Sequence, residues 1–147
     1  MSDVARVEVP DGVRGGRGLS PGARAVALSL AETLFASESG PPSPERLEWL
    51  GDDLDHFFAH AGGRARSVFL LCITAIELVS PLFIRRLGRF STLSLTERFA
   101  ALTRFEESPA GLALFGAKAA LCIVWYEHPL AAREVGFDGL CLVRRSA

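Results

Sequence analysis

The sequence predicts an all-α fold, an irregular bundle of about five to seven helices with a flexible N-terminal arm. Three observations carry that prediction. Ser-Pro pairs recur at 20–21, 43–44, 80–81 and 108–109, each in the form of a helix start: the Ser side chain accepts from first-turn amides and Pro occupies a position that needs no donor. Apolar residues recur at helical spacing, and no run alternates strictly for long enough to make a strand. No internal repeat of fixed period is present, which leaves a bundle rather than a solenoid.

Residues 1–19, rich in Gly, Arg and Asp without periodicity, read as a flexible or partner-bound arm, and residues 20–147 as a single helical domain. The first helix is expected over 21–36, with Ala23, Val26, Ala27, Leu30 and Leu34 on one face, before SESGPPS breaks the chain. The second spans 44–61, its stripe made of Leu47, Leu50, Leu54, Phe57, Phe58 and Ala61, and Gly62-Gly63 ends it. RARSVFLLCITAIELV, 64–79, is apolar nearly all round and predicts a central buried helix or a membrane span. A short helix follows over 81–88. Ser94-Leu95-Thr96-Glu97 is a capping box opening a helix over 95–106, with Phe99, Leu102 and Phe105 inward. The sixth helix, 109–127, is again apolar on most faces, and a short last one covers 129–135. The uninterrupted apolar stretches fall short of the roughly 20 residues of a span, which favours a bundle over a membrane protein.

A chain of 147 residues suffices for one core. Hydrophobic residues make up 49% of it and the mean hydropathy is +0.26, so some apolar surface is expected to be covered by a partner or a membrane. A net charge of −1 offers no field for nucleic acid. Cys72, Cys122 and Cys141 are widely spaced and form no zinc-type pattern; their disulfide state is open. The first residues hold neither a signal-peptide apolar core nor a twin-Arg pair, so no export address is read in them and the location is open: cytoplasmic, or exported together with a partner that carries the signal.

Candidate chemistry is sparse. Glu77 and Lys118 each fall in an apolar helix and are candidates for a buried ion pair. His56 and His60 lie one helical turn apart, a weak metal candidate without a third ligand, and the favoured reading is a solvated helix face. No GxSxG elbow is present, and GVRGGRG at 12–18 does not sit between a strand and a helix, which argues against a hydrolase and against a nucleotide fingerprint. The stretch YEHPLAAREVGFDG, 126–139, has two readings. Tyr126, Glu127, His128 and Asp138 are possible acid-base groups. Alternatively Pro129 starts a short helix, Gly136 ends it in the left-handed conformation and Gly139 permits a further turn, giving a structural corner. The corner is favoured, since no second cluster supplies a pocket.

Arg89 to Leu102, RFSTLSLTERFAAL, resembles the F-x-x-L-x-x-x-x-R-x-x-x-L helix start of the gluconate 2-dehydrogenase subunit 3 family. The run from Tyr126 to Gly139 is similar to that family's closing pattern of aromatic-Tyr, Pro a few residues on, then Gly-aromatic-x-Gly, and GLSPGARAVALSLAETLF to its first helix. The resemblance covers about 20–36 and 89–139. It implies a small, helical, non-catalytic subunit accompanying a large FAD-dependent oxidoreductase of the glucose-methanol-choline type; similar segments precede the flavin domain in long-chain alcohol oxidases. It further implies that no cofactor binds in this chain, that FAD belongs to the partner, and that Tyr126, His128, Pro129, Gly136, Phe137 and Gly139 shape an interface. Exported members often carry a twin-Arg leader, from which this sequence departs. The alternative is a stand-alone helical enzyme or metal-binding protein using His128 and Tyr126 or His56 and His60.

Overall fold

A computed structural model describes residues 16–136. They form helices α1 (Pro21–Leu34), α2 (Pro44–His60), α3 (Gly63–Val79), α4 (Leu95–Glu107), α5 (Gly111–Tyr126) and the one-turn α6 (Ala131–Glu134), with 3₁₀ turns at Ser80–Ile84 and Phe90–Thr92. The all-α bundle expected from the Ser-Pro punctuation is the observed architecture among the described residues. Residues 1–15, and Phe137, Asp138, Gly139 and Cys141 of the sequence expectations, lie outside the described residues.

Three of the five expected starts are capped as the sequence requires. Ser20 accepts from the Ala23 amide and Ser43 from the Arg46 amide, each with Pro following. Ser94 and Glu97 satisfy each other's backbone amides in a complete capping box. The other two Ser-Pro pairs act differently. Pro81 removes a donor from the α ladder, yet the chain tightens into a 3₁₀ turn, and the Ser80 hydroxyl is buried without a partner among the described residues. The Ser108 hydroxyl donates to the Phe105 carbonyl and accepts from the Ala110 amide, so it closes α4; α5 begins at Gly111 with no side-chain cap. Gly111 is required there, because a Cβ would collide with the Glu106 carbonyl in the 117° elbow between α4 and α5.

The inward faces meet in a contiguous core that includes Ala27, Leu30, Leu50, Leu54, Phe58, Phe69, Ile73, Ile76, Phe90, Leu102, Phe105, Leu121 and Val124. At about 25 cal/mol per Å² of apolar surface removed from water, such burial is what holds the helices together. α3 packs most extensively on α5. The pair approaches closely where a Cβ on Gly116 would stand 3.1 Å from the Cys72 sulfur, while Val68 meets Ala120 and Ile123 across a shared groove. Later residues of α5 thus face earlier residues of α3, and the two run antiparallel.

Two packing expectations are corrected. Phe99 is 61% exposed, because Arg98 takes the inward position of α4: it donates to Glu32 at 2.7 Å and to the Ser91 carbonyl at 3.0 Å. α3 is not a central buried helix, and α5, apolar on most faces, is not buried all round either. Each buries one stripe and turns the other outward. The continuation of α3 into the 3₁₀ turn gives a run, Gly63–Ile84, of 22 residues that is long and apolar enough to cross a membrane, with 33% of its most apolar window buried in the bundle.

Candidate functional site

Two surfaces stand out: a cleft at the corner after α5 and an apolar face on α3 and α5. The corner cleft, of about 780 Å³, lies between the α1–α2 linker, the first turn of α2, the end of α5 and α6. Arg46 forms its floor. The side chain sits at the i−4 position from Leu50, on the buried stripe of α2, and is only 8% exposed. Its guanidinium carbon stands 4.2 Å from the Trp125 ring centroid, a cation–π contact. Nη1 donates to Glu134 at 2.8 Å and Nη2 reaches the second Glu134 oxygen at 3.4 Å, so α6 is tied across the bundle to α2. Nε is buried and has no partner among the described residues. On the other face of Trp125, Phe35 stacks at 4.2 Å with an interplanar angle of 4°, and Tyr126 meets Phe35 edge-on at 6.5 Å.

The corner residues named from the sequence fall into this frame. Tyr126 and His128 line the cleft, and Pro129 sits in the turn between α5 and α6. His128 Nδ1 accepts from the Leu130 amide at 3.1 Å, and the ring packs edge-on against Trp49 at 4.5 Å. An Nδ1 that accepts carries no proton, so the neutral imidazole holds its proton on Nε2. Gly136 adopts φ +72° at the end of α6, the left-handed stop that its position after Val135 predicts. His128 thus caps a turn.

His56 and His60 lie elsewhere, in a separate groove shared with Asp53, Phe57, Ala61 and Glu127. Their rings are 4.4 Å apart, and His60 Nδ1 lies 2.8 Å from the carbonyl oxygen of His56 in its own helix, which makes it a donor. Among the described residues no three His, Cys, Asp or Glu side chains converge as metal ligands. Glu127 faces this groove and Tyr126 and His128 face the corner cleft, so the residues proposed for a single acid-base site are split between two surfaces.

Glu77 and Lys118 do not pair. Glu77 is buried, and its two oxygens accept from the Ser91 amide at 3.0 Å and the Ser91 hydroxyl at 2.6 Å. Lys118 projects outward to Glu106, 3.3 Å away. A buried carboxylate found backbone and hydroxyl donors instead of a cation, at lower cost than burying two charges. Cys72 and Cys122 are free and half-buried, and burial pushes both thiols up.

The apolar face is the larger feature. On α3 and its 3₁₀ extension, Val68, Leu71, Leu78, Val79 and Leu82 are exposed at helical spacing; on α5, Leu112, Phe115 and Ile123 are. Leu71 is 72% and Phe115 69% exposed. The stripes meet where Val68 of α3 and Ile123 of α5 line one groove between the adjacent helices, and Phe99 of α4 is also exposed. Isolated exposed Leu residues are ordinary, whereas aligned stripes on adjacent helices mark an interaction surface.

Sequence reading named Tyr126 and His128 but missed Arg46, Trp125, Phe35, Trp49 and Glu134. One signal was available for Arg46: the Leu50–Leu54–Phe58 stripe extended back one turn lands on it. For Glu134 there was none, since its partner lies 88 residues away.

Fold and surfaces together define a small helical bundle with an aromatic corner latched by Arg46 and an apolar face exposed among the described residues. Compared with protein-family models, with curated proteins and with solved structures, the chain has no match.

Proposed function

We propose that this chain is a non-catalytic small subunit that seats on a large FAD-dependent alcohol or sugar dehydrogenase or oxidase, and stabilises it or helps it mature. The observation that supports an assembly role is the pair of apolar stripes on α3 and α5, with Leu71, Phe115, Leu112 and Ile123 outward. A stripe about 25 Å long, from 17 helical residues at 1.5 Å each, with a second on the adjacent helix is of the dimensions from which specific interfaces are built. The class of partner comes from the resemblance of the stretches at 20–36, 89–102 and 126–139 to the gluconate 2-dehydrogenase subunit 3 family. In that reading the flavin and the acid-base groups belong to the large chain. The corner at Tyr126, His128, Pro129 and Gly136 then helps shape the interface, a role compatible with His128 serving as a turn cap.

Co-expression tests the reading directly. The chain should co-purify in fixed ratio with a large flavoprotein of its host, with flavin absorbance in the complex and none in the small chain alone. A chain that stays monomeric and stable by itself, with no flavoprotein bound under native conditions, would end the proposal.

A further inference from the structure

We propose that the turn Arg85-Arg86-Leu87-Gly88-Arg89 is the anchor by which the apolar face engages its partner, and that the partner offers an apolar pocket rimmed by carboxylates. The inference rests on the subunit reading above and adds the site of contact and its chemistry.

Leu87 is 94% exposed, the most exposed large apolar side chain among the described residues. In sequence it stands five residues beyond Leu82, the last exposed apolar residue of the 3₁₀ extension of α3. Its exposure is built in. Arg85 has φ +56° and ψ +35°, the one described non-glycine residue in the left-handed region, and Gly88 follows at φ +143°. L side chains adopt that region at an energetic cost, and such residues concentrate where a segment must be presented in one particular way. The base of the turn is held on both sides. The Arg85 and Arg86 amides donate to the carbonyls of Leu82 and Pro81 at 3.0 Å, Phe90 is fully buried, and Ser91 is bound through two hydrogen bonds to Glu77. A rigid turn therefore projects an apolar tip, at small conformational cost on binding.

The flanking charges indicate the partner's chemistry. Arg86 is taken by Glu97 at 2.7 Å, and Arg104 of α4 donates to the Phe83 carbonyl. Glu77 is buried and satisfied by Ser91. Arg85 and Arg89 are exposed and make no ion pair with a described residue, which leaves positive charge on both sides of Leu87 uncompensated. A second copy of the chain fits poorly. The opposite end of α3 carries exposed Arg64, so pairing the strip with itself, parallel or antiparallel, sets arginines against arginines. An anionic bilayer would attract the same arginines, and vesicle flotation separates that case from a protein partner. A protein with an acidic rim satisfies both the leucine and the arginines.

The test measures binding of the full chain to the purified flavoprotein subunit for wild type, Leu87→Asp, the double variant Arg85→Glu/Arg89→Glu, and Arg85→Gly. Leu87→Asp is expected to weaken affinity by about tenfold or more through faster dissociation. The double charge reversal is expected to slow association about tenfold and remove its salt dependence. Arg85→Gly relieves the left-handed strain, so it should keep or raise the thermal midpoint while weakening binding severalfold, a combination that a merely structural role would not produce. Circular dichroism confirms that each variant is folded. If wild type binds the flavoprotein and all variants bind equally well, the anchor is wrong and the subunit reading stands. If wild type binds no flavoprotein, both fall. Flotation with phosphatidylglycerol–phosphatidylcholine vesicles, or a concentration-dependent dimer, either one lost in Leu87→Asp, would assign the turn to a membrane or to self-association and overturn the proposal.

Discussion

The guanidinium of Arg46 stands 4.2 Å from the centre of the Trp125 ring, so the first turn of α2 and the last turn of α5 meet through a buried cation and an aromatic face. Replacing Arg46 with Ala removes the cation–π contact, the packing of the side-chain stem and the tie to Glu134. The expected loss is about 2–3 kcal/mol in denaturant unfolding. Arg46→Met keeps most of the packed volume and leaves only the half-exposed Glu134 carboxylate without its partner, where water can reach it, so the cost should be about 1 kcal/mol or less. Glu134 is half-exposed, so water can reach the gap left by Glu134→Ala, and a loss of about 1 kcal/mol is expected. An Arg46→Ala variant as stable as wild type would show that the latch contributes nothing.

Glu77 and Ser91 make the second prediction. Hydrogen bonds to a buried charged acceptor contribute about 1.5–3 kcal/mol, so Ser91→Ala should lower stability by that order. Lys118→Ala should change it by about 0.5 kcal/mol or less, because Lys118 meets only exposed Glu106. A double-mutant cycle between Glu77 and Lys118 should give no coupling; a coupling above about 0.5 kcal/mol would restore the ion pair that the sequence suggested.

The role of His128 separates a turn cap from an acid-base group. Asn offers a side-chain oxygen near the position of Nδ1, so His128→Asn should preserve the bond from the Leu130 amide and most of the stability. His128→Ala should lose about 1 kcal/mol and leave the activity of an assembled flavoprotein complex unchanged per complex formed. Activity lost in both variants while assembly is intact would favour the stand-alone chemistry.

Acid should weaken the capping box. The hydrogen bonds from the Ser94 backbone, together with Arg86, hold the Glu97 carboxyl below its ordinary value. A carboxyl whose folded pKa is depressed contributes stability that is present above its unfolded pKa, about 4.3, and lost as pH falls through the folded value. The difference in thermal midpoint between wild type and Glu97→Ala should therefore be constant near neutrality and shrink below about pH 4. A difference independent of pH down to about pH 2 would remove ionisation from the account.

Local physics explains which features the sequence already contained. A cap is a bond between residues three apart, so Ser20, Ser43 and the Ser94–Glu97 box could be read without knowing what lay nearby. The left-handed stop at Gly136 is equally local. Ser80 and Ser108 failed the same rule because their surroundings, a buried α3 terminus and a sharp elbow, used the residues otherwise.

The sequence by itself determined the all-helical class, most helix starts, the core stripes of α1 and α2 in outline, and the corner at Pro129. These follow from propensity, capping and periodicity, which act within one or two helical turns. Tertiary structure decided everything that depends on distant partners. It gave Arg98 the inward place that Phe99 was expected to hold, paired Glu77 with Ser91, and closed Arg46 onto Glu134 across 88 residues of chain. It also turned half of α3 and α5 outward. A helix apolar on all sides has no periodicity from which to tell its buried face, and only the positions of its neighbours choose which stripe is left for a partner.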